Sequence, residues 1–185
     1  MPLTAAGLLG VPARITTDRL TLVESDPAFA GEFAAAMRAS HDELEFVPGW
    51  REAGDEGVAA RSLQISRDRA EHELVRHAFV RDTGAYVARL DLHSWDVETP
   101  RCELGYLGDT RISGRGLVRE AALAMVEVAW SLGVERVQAM VDARNERGLR
   151  FAAALGMERE GVLRRYERDD EGVLCDQVMF AVLRP

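Results

Sequence analysis

The stretch Arg111-Ile112-Ser113-Gly114-Arg115-Gly116-Leu117 lies between a strand-like segment and an apolar run that extends to Leu132. Glycine adopts backbone dihedrals that other residues avoid, and it lets the backbone approach a ligand closely. The first amides of a helix that starts at Leu117 lack intrahelical acceptors and lie at the positive end of the helix dipole. We therefore expect this segment, the glycine turn, to bind an anion such as phosphate, with help from Arg111, Arg115 and Arg119.

Two alternative roles are open to the glycine turn. Gly114 and Gly116 could serve only a tight connection between strand and helix, with arginines on the nearby surface. A dinucleotide fingerprint, G-x-G-x-x-G, is disfavoured because Arg119 stands where the third glycine belongs. That fingerprint also follows a first strand–helix unit, whereas several strand-like segments precede this turn.

All basic residues of the chain except four histidines are arginines. The 185 residues include 23 arginines and no lysine, against 31 acidic residues, which gives a formal charge of −8 at pH 7. Without lysine, Schiff-base catalysis and a phosphate-loop lysine are both excluded. The net acidity disfavours a general nucleic-acid binder. Phosphate recognition would therefore depend on backbone amides and guanidinium groups.

Composition also bounds the class of protein. An apolar fraction of 47% with 29% charged residues is ordinary for one globular domain, and Cys102 and Cys175 are typical of reduced cytoplasmic thiols. No uncharged run approaches the ~20 residues of a membrane span, and the histidines show no metal-ligand spacing. We expect a cytoplasmic domain over residues 14–185, with no metal, preceded by a loosely ordered leader over residues 1–13.

Hydrophobic periodicity predicts the order of strands and helices on both sides of the glycine turn. A three-stranded meander precedes the turn, and alternating helices and strands follow it, which predicts an α/β or α+β fold with a mixed sheet. The predicted strands are 19–24, 74–81, 86–93, 102–107, 134–141, 157–163 and 173–183. The predicted helices are 27–37, 58–73, 117–132 and 145–155, and residues 41–57 are predicted to be an irregular loop.

Several short motifs follow one another in a family-specific order. Arg111-x-x-Gly114-x-Gly116 resembles the acyl-CoA motif, Q/R-x-x-G-x-G/A, of the GNAT acetyltransferases. Other segments resemble the branch of that family that contains the ribosomal-protein N-terminal acetyltransferases RimJ and RimL. They are Thr17-Asp18-Arg19-Leu20, Cys102-Glu103-Leu104-Gly105-Tyr106, Glu120, Asn145, Leu155-Gly156-Met157 and Glu160-Gly161-Val162-Leu163. The resemblance extends over about residues 16–183.

The resemblance implies a GNAT fold whose fourth and fifth strands, 102–107 and 134–141, splay apart and accept acetyl-CoA between them. The pyrophosphate would bind the amides of the glycine turn, and the pantetheine arm would pair with the strand edge near Leu107, where an amide would polarise the thioester. Asn145 would contact the cofactor from the opposite side. The implied cofactor-binding residues are Leu107, Arg111, Gly114, Arg115, Gly116, Leu117, Arg119 and Asn145.

Two glutamates are candidates for the general base that deprotonates the attacking amine. Glu103 lies in the strand beside the splayed cleft, and Glu167 follows the sixth strand, where some enzymes of this branch place a carboxylate. Either one could instead be a solvated or ion-paired surface residue. Ala152 and Gly148 occupy the positions of the family's usual tyrosine and serine, so Tyr166, water or solvent would protonate the departing thiolate.

Phe46, Trp50 and His93 are predicted to line the groove of the acceptor. The resemblance implies an N-acetyltransferase that moves an acetyl group from acetyl-CoA to a primary amine by direct attack. The acceptor would be a protein N-terminus or a small cationic amine, and acidic clusters at 42–45 and 55–56 suit either. The alternative is a non-catalytic acyl-CoA-binding or sensor domain. A homodimer is common in this branch.

Overall fold

A computed structural model describes Leu8 and residues 10–185 as a mixed sheet flanked by helices. The strands are β1 Arg14–Thr16, β2 Leu20–Val23, β3 Leu74–Val80, β4 Tyr86–Asp96, β5 Arg101–Gly108, β6 Arg136–Asp142, β7 Glu158–Arg168 and β8 Leu174–Leu183. The helices are α1 Ala30–Ala39, α2 His41–Leu44, α3 Glu56–Asp68, α4 Leu117–Ser131 and α5 Glu146–Ala154, with 3₁₀ turns at Pro27–Phe29, Arg51–Gly54 and Thr110–Ile112. The predicted mixed sheet is confirmed.

The sheet is interrupted at its only parallel pair among the described strands. The strand order is β1-β2-β3-β4-β5-β6-β8-β7, and β5 and β6 run parallel. Their pairing extends from Arg101 and Arg136 only to Glu103 and Gln138, although β5 continues to Gly108 and β6 to Asp142. β4 and β8 stay paired to the outer edges of β5 and β6. The inner edges therefore diverge, as predicted, and frame a cleft.

Alternation along β4 separates the core from this cleft. Leu90 and Leu92 are fully buried in the cluster that packs on the apolar stripe of α4, which includes Ala122 and Met125. Intervening residues of β4 point to the other face of the sheet, because successive strand side chains alternate. Phe33 of α1 belongs to a second cluster, together with Tyr86 and Leu107. No helix of the described chain is long and apolar enough to cross a membrane.

Several element boundaries differ from the predicted ones. β1 was not predicted, and it forms because it pairs with β2 over its whole length. The expected loop 41–57 contains α2 and a 3₁₀ turn, and Asp55 starts α3 early by accepting a hydrogen bond from the amide of Val58. Residues 1–7 and 9 of the predicted leader lie outside the described residues. Leu8 and Val11, which are described, are buried in the core.

Candidate active site

Two cavities with shared lining residues lie along β5, one in the gap between β5 and β6 and one beyond the end of that gap. The wide cleft, of about 690 Å³, is lined by β4, β5, β6 and the loop 46–50. The narrow channel, of about 120 Å³, lies between α2, the end of β5 and the starts of α4 and α5. Tyr106, Leu107 and Asn145 line both cavities. A molecule that extended along the free edge of β5 would therefore pass from the channel into the cleft.

The glycine turn enters α4 with two residues in the left-handed region. Gly114 has a φ of 78° and Gly116 a φ of 70°, so an L side chain at either position would be strained. Gly116 is the N-cap of α4 and has no side chain, so it offers the first amides of the helix no side-chain acceptor. This geometry leaves backbone donors at the positive end of a 15-residue helix, as an anion site requires.

The arginines near the turn are largely engaged within the protein. Arg111 donates from Nη2 to Asp109 over 2.6 Å, and this bond raises the pKa of Arg111. Arg119 donates to the carbonyl oxygen of Ala154 at the end of α5. Arg115 is held by the described residues through its backbone alone, since its carbonyl oxygen accepts a hydrogen bond from Arg19. Of the three arginines, only Arg111 is neutralised by an acidic partner in the described part of the chain, so it adds less positive potential to the turn than the sequence suggested.

Arg147 is a channel residue that was not predicted. It lines the narrow channel and donates to Ser113 Oγ in the glycine turn and to Glu43 Oε1 in α2, each over 2.8 Å. The only signal in the sequence was its place two residues after Asn145. Arg147 links the glycine turn to α2, so it adds a guanidinium to those expected from the sequence around the turn.

Asn145 caps α5 at the junction of the two cavities. Its Oδ1 accepts a hydrogen bond of 2.7 Å from the amide of Gly148. A Cβ at Gly148 would lie 2.8 Å from Val141 Cγ1 and 3.0 Å from Asn145 Cγ, which is closer than packed atoms allow. The glycine that replaces the branch's serine is therefore explained by tight packing of α5 on β6.

A row of charged residues on β4 forms one wall of the wide cleft. Arg89 and Asp91 make an ion pair with side chains only 8% exposed, and the Arg89 guanidinium lies 4.7 Å from the ring centre of Trp50. His93 Nε2 lies 3.5 Å from Asp91 Oδ2. A Cβ at Gly105, which is opposite Asp91, would lie 2.8 Å from that carboxylate. Gly105 therefore makes room for the Asp91 side chain.

Both predicted glutamates line the wide cleft. Glu103 pairs in register with His93 and accepts a weak hydrogen bond of 3.4 Å from Gln138. Burial raises the pKa of Glu103, and the charges of Asp91 and Glu167 act in the same direction. Glu167 lies within β7 rather than after a strand, because β7 extends to Arg168. A half-buried carboxylate with a raised pKa, placed where β5 and β6 part, is suited to accept a proton.

Tyr166 is not brought into the wide cleft. Its side chain is 56% exposed and lies in a separate surface depression with Val162 and Arg165. A bulge in β7, with Arg165 at a φ of 54°, shifts the register between Leu163 and Glu167. Tyr166 and Glu167 are neighbours in β7 and point to opposite faces, and the register after the bulge directs Glu167 rather than Tyr166 to the wide cleft.

The remaining walls hold the other predicted acceptor residues, Phe46 and Trp50, beside His93. Arg144 ion-pairs with Asp142 and Asp169, and its guanidinium lies 5.8 Å from the ring centre of Phe46. The amide of Gly49 donates to Asp170 over 2.8 Å. These contacts tie the loop 46–50 to the β7–β8 turn. In the described part of the chain, no three acidic, histidine or cysteine side chains gather as metal ligands.

A sequence model of the acetyltransferase (GNAT) domain matches residues 19–158. The chain belongs to this family, so the predicted resemblance is confirmed. A curated relative, the uncharacterized N-acetyltransferase p20 of Bacillus licheniformis, is 29% identical over 106 residues. That match covers 57% of this chain and 59% of p20, so it spans less than two thirds of the relative's length.

Solved structures show the same fold. The microcin C7 self-immunity acetyltransferase MccE, in complex with acetyl-CoA and AMP, has a TM-score of 0.83 at 18% identity, over 94% of this chain and 98% of MccE. RimJ of Mycobacterium smegmatis, in complex with CoA-disulfide, has a TM-score of 0.79 at 19% identity, over 89% and 81% of the two chains. Ribosomal-protein acetyltransferases are thus among the structural neighbours, as the motifs predicted.

Proposed function

We propose that this protein is an acetyl-CoA-dependent N-acetyltransferase whose acceptor is a primary amine. The observation that carries this proposal is the splay of β5 and β6, with the half-buried Glu103 at its base and the glycine turn at its mouth. Membership of the GNAT family supports the donor and the reaction type.

The channel and the glycine turn fit the donor. The amides at residues 114–117 would bind the pyrophosphate. The guanidinium groups near the turn would add positive charge, and they belong to Arg111, Arg115, Arg119 and Arg147. The pantetheine arm would follow the free edge of β5 past Leu107, and Asn145 would contact it from α5. Both cavities are lined by these two residues, so an arm that passed from one to the other would bring the thioester near Glu103.

Glu103 is the general base in this proposal, and Glu167 is the second candidate. The amine nitrogen attacks the acetyl carbon, the C–S bond breaks, and the proton of the amine passes to Glu103 directly or through water. An amide near Leu107 would stabilise the developing oxyanion. Tyr166 lies outside the wide cleft, so we assign protonation of the thiolate to water.

The wide cleft favours a cationic acceptor such as a peptide N-terminus. Glu103 and Glu167 both face this cleft, while its two arginines, Arg69 and Arg89, form ion pairs with Glu73 and Asp91. The cleft is large enough to receive more than a single amino group. Two structural neighbours are named for ribosomal-protein substrates, RimL for L7/L12 and another for S5, which supports a peptide acceptor over a small amine.

Thiol release from acetyl-CoA in a panel of peptides and small amines tests this proposal. We expect turnover with peptides that carry a free N-terminus, and its loss when the N-terminus is blocked. Glu103→Gln should lower kcat about 10²-fold or more with little change in CoA binding. Glu160→Gln, outside both cavities, is the control. CoA binding without transfer to any acceptor would instead establish the sensor alternative, and turnover only with small amines would overturn the peptide assignment.

A further inference from the structure

Two motifs of the sequence contact neither cavity but contact each other. Glu120, in the first turn of α4, accepts hydrogen bonds at Oε1 from Thr17 Oγ1 over 2.6 Å and from the Arg19 amide over 2.9 Å. Its Oε2 accepts from Arg19 Nε over 2.6 Å. One carboxylate thus fixes the segment before β2 to the start of α4, across 101 residues of sequence.

Arg19 connects Glu120 to the glycine turn. Its Nη1 donates to the carbonyl oxygen of Arg115 over 3.0 Å, while its Nε is held by Glu120. In a planar trans peptide the C=O and the N–H point in opposite directions. Arg19 therefore fixes the 115–116 peptide with the Gly116 amide directed away from the Arg19 side chain.

The turn needs such a restraint because glycines surround this peptide. Gly114 and Gly116 are both at positive φ, and glycine populates positive and negative φ about equally. A Cβ at Gly116 would lie only 3.7 Å from Arg19 Nη2, so the guanidinium packs directly on the turn. Without Arg19, the amides of the turn would lose conformational entropy when a ligand bound.

Electrostatics favour a positioning role over a direct one. Burial would raise the pKa of Glu120, but the hydrogen bonds from Thr17 and Arg19 outweigh burial and lower it. The carboxylate thus stays ionised and neutralises Arg19. Neither residue lines the wide cleft or the narrow channel. The pair contributes geometry rather than net charge to the turn.

We infer that Arg19 and Glu120 are positioning residues that hold the amides of the glycine turn ready for the pyrophosphate of an acyl-CoA donor. The inference rests on the proposed function. It explains why the Thr17–Leu20 motif and Glu120 occur in the same chain as the glycine turn. It also predicts that loss of either residue weakens the binding of ligands that carry a pyrophosphate but not of ligands that lack one.

Glu120→Gln and Arg19→Lys test this inference, with CoA and pantetheine as calorimetric ligands. Pantetheine has the same thiol arm but no pyrophosphate. In both variants we expect the Kd of CoA to rise about tenfold, which corresponds to about 1.4 kcal/mol, with the Kd of pantetheine unchanged. With acetyl-CoA, KM should rise and kcat should stay within twofold. Glu160→Gln breaks an ion pair of equal length, 2.6 Å to Arg136, and should change none of these values.

Four outcomes would overturn the inference. Unchanged CoA affinity in both variants would show that the glycine turn keeps its binding conformation without Arg19 and Glu120. An equal loss for CoA and pantetheine, or an equal loss in Glu160→Gln, would indicate general destabilisation. If the unsubstituted protein failed to bind CoA, the proposed function would fall and this inference with it.

Discussion

Replacement of Gly105 by alanine should destabilise the protein through one buried ion pair. The added Cβ would lie 2.8 and 2.9 Å from the two carboxylate oxygens of Asp91 and 3.0 Å from its Cγ. Asp91 cannot yield freely, because it is paired with Arg89 and both side chains are 8% exposed. Overpacking of this kind costs about 1–3 kcal/mol, and full separation of a buried pair costs about 3–5 kcal/mol. We expect a loss of about 2–3 kcal/mol.

Urea unfolding measures this loss. With an m value of about 2 kcal/mol/M, the midpoint should fall by roughly 1 M. Gly161→Ala is the matched control in β7, since its Cβ would meet no atom within 4 Å and its midpoint should move by less than about 0.3 M. Gly105→Ala should also lower the rate of acetyl transfer, because Asp91 and Arg89 support His93 and Trp50 in the wide cleft.

A double-mutant cycle identifies the cause. If the alanine acts on the carboxylate, Gly105→Ala should cost little in an Asp91→Ala background, and the two single effects should not add. Additive effects would refute the steric argument, as would an unchanged midpoint in Gly105→Ala. Either result would mean that Gly105 occurs in β5 for some reason other than the space that the Asp91 side chain needs.

Four further predictions concern protonation and backbone strain. Burial raises the pKa of Glu103, so kcat/KM should rise with pH through an ionisation above the ordinary glutamate range, and Glu103→Gln should abolish that ionisation. The raised pKa also means that ionised Glu103 destabilises the native state. The increase in the free energy of unfolding caused by Glu103→Gln should therefore be larger at pH 7 than at pH 4. Gly116→Ala and Gly156→Ala, at φ of 70° and 83°, should each cost about 1 kcal/mol in thermal unfolding, but only Gly116→Ala should weaken CoA binding in calorimetry. Burial would raise the pKa of Asp142, but its bonds to Arg144 lower it, so Asp142→Asn should destabilise at pH 7 and progressively less as pH falls below the usual aspartate pKa.

Long periodic segments were predictable, and short or irregular ones were not. The apolar stripe of α4 repeats at helical spacing from Leu117 to Trp130, so its length and bounds followed from the sequence. β1 has three residues, too few for a period, and it is a strand only because β2 lies beside it. α2 has four residues, and it lies in a segment whose glycines and proline indicate a loop.

The backbone part of the site was predictable because its geometry requires particular residue types. Gly114 and Gly116 are at positive φ, and Gly105 admits a carboxylate, so each site needs a glycine. Side-chain pairing leaves no such mark. Nothing local shows that Arg147 reaches both Ser113 and Glu43.

The fate of Tyr166 illustrates the same limit. Period-two alternation places neighbouring strand residues on opposite faces, but it cannot say which face borders the cleft once a bulge intervenes. The positive φ of Arg165 sets that choice in β7. Since arginine gives no signal for a left-handed backbone, the sequence could not show that Glu167, rather than Tyr166, faces the wide cleft.

A crystal structure of the protein with CoA tests the central claim most directly. We expect the CoA chain between β5 and β6, its pyrophosphate oxygens within hydrogen-bond distance of amides at residues 114–117, and its sulfur near the point where the pairing of Glu103 and Gln138 ends. A pyrophosphate bound elsewhere, or a pantetheine arm outside the gap between the two strands, would contradict the proposed site.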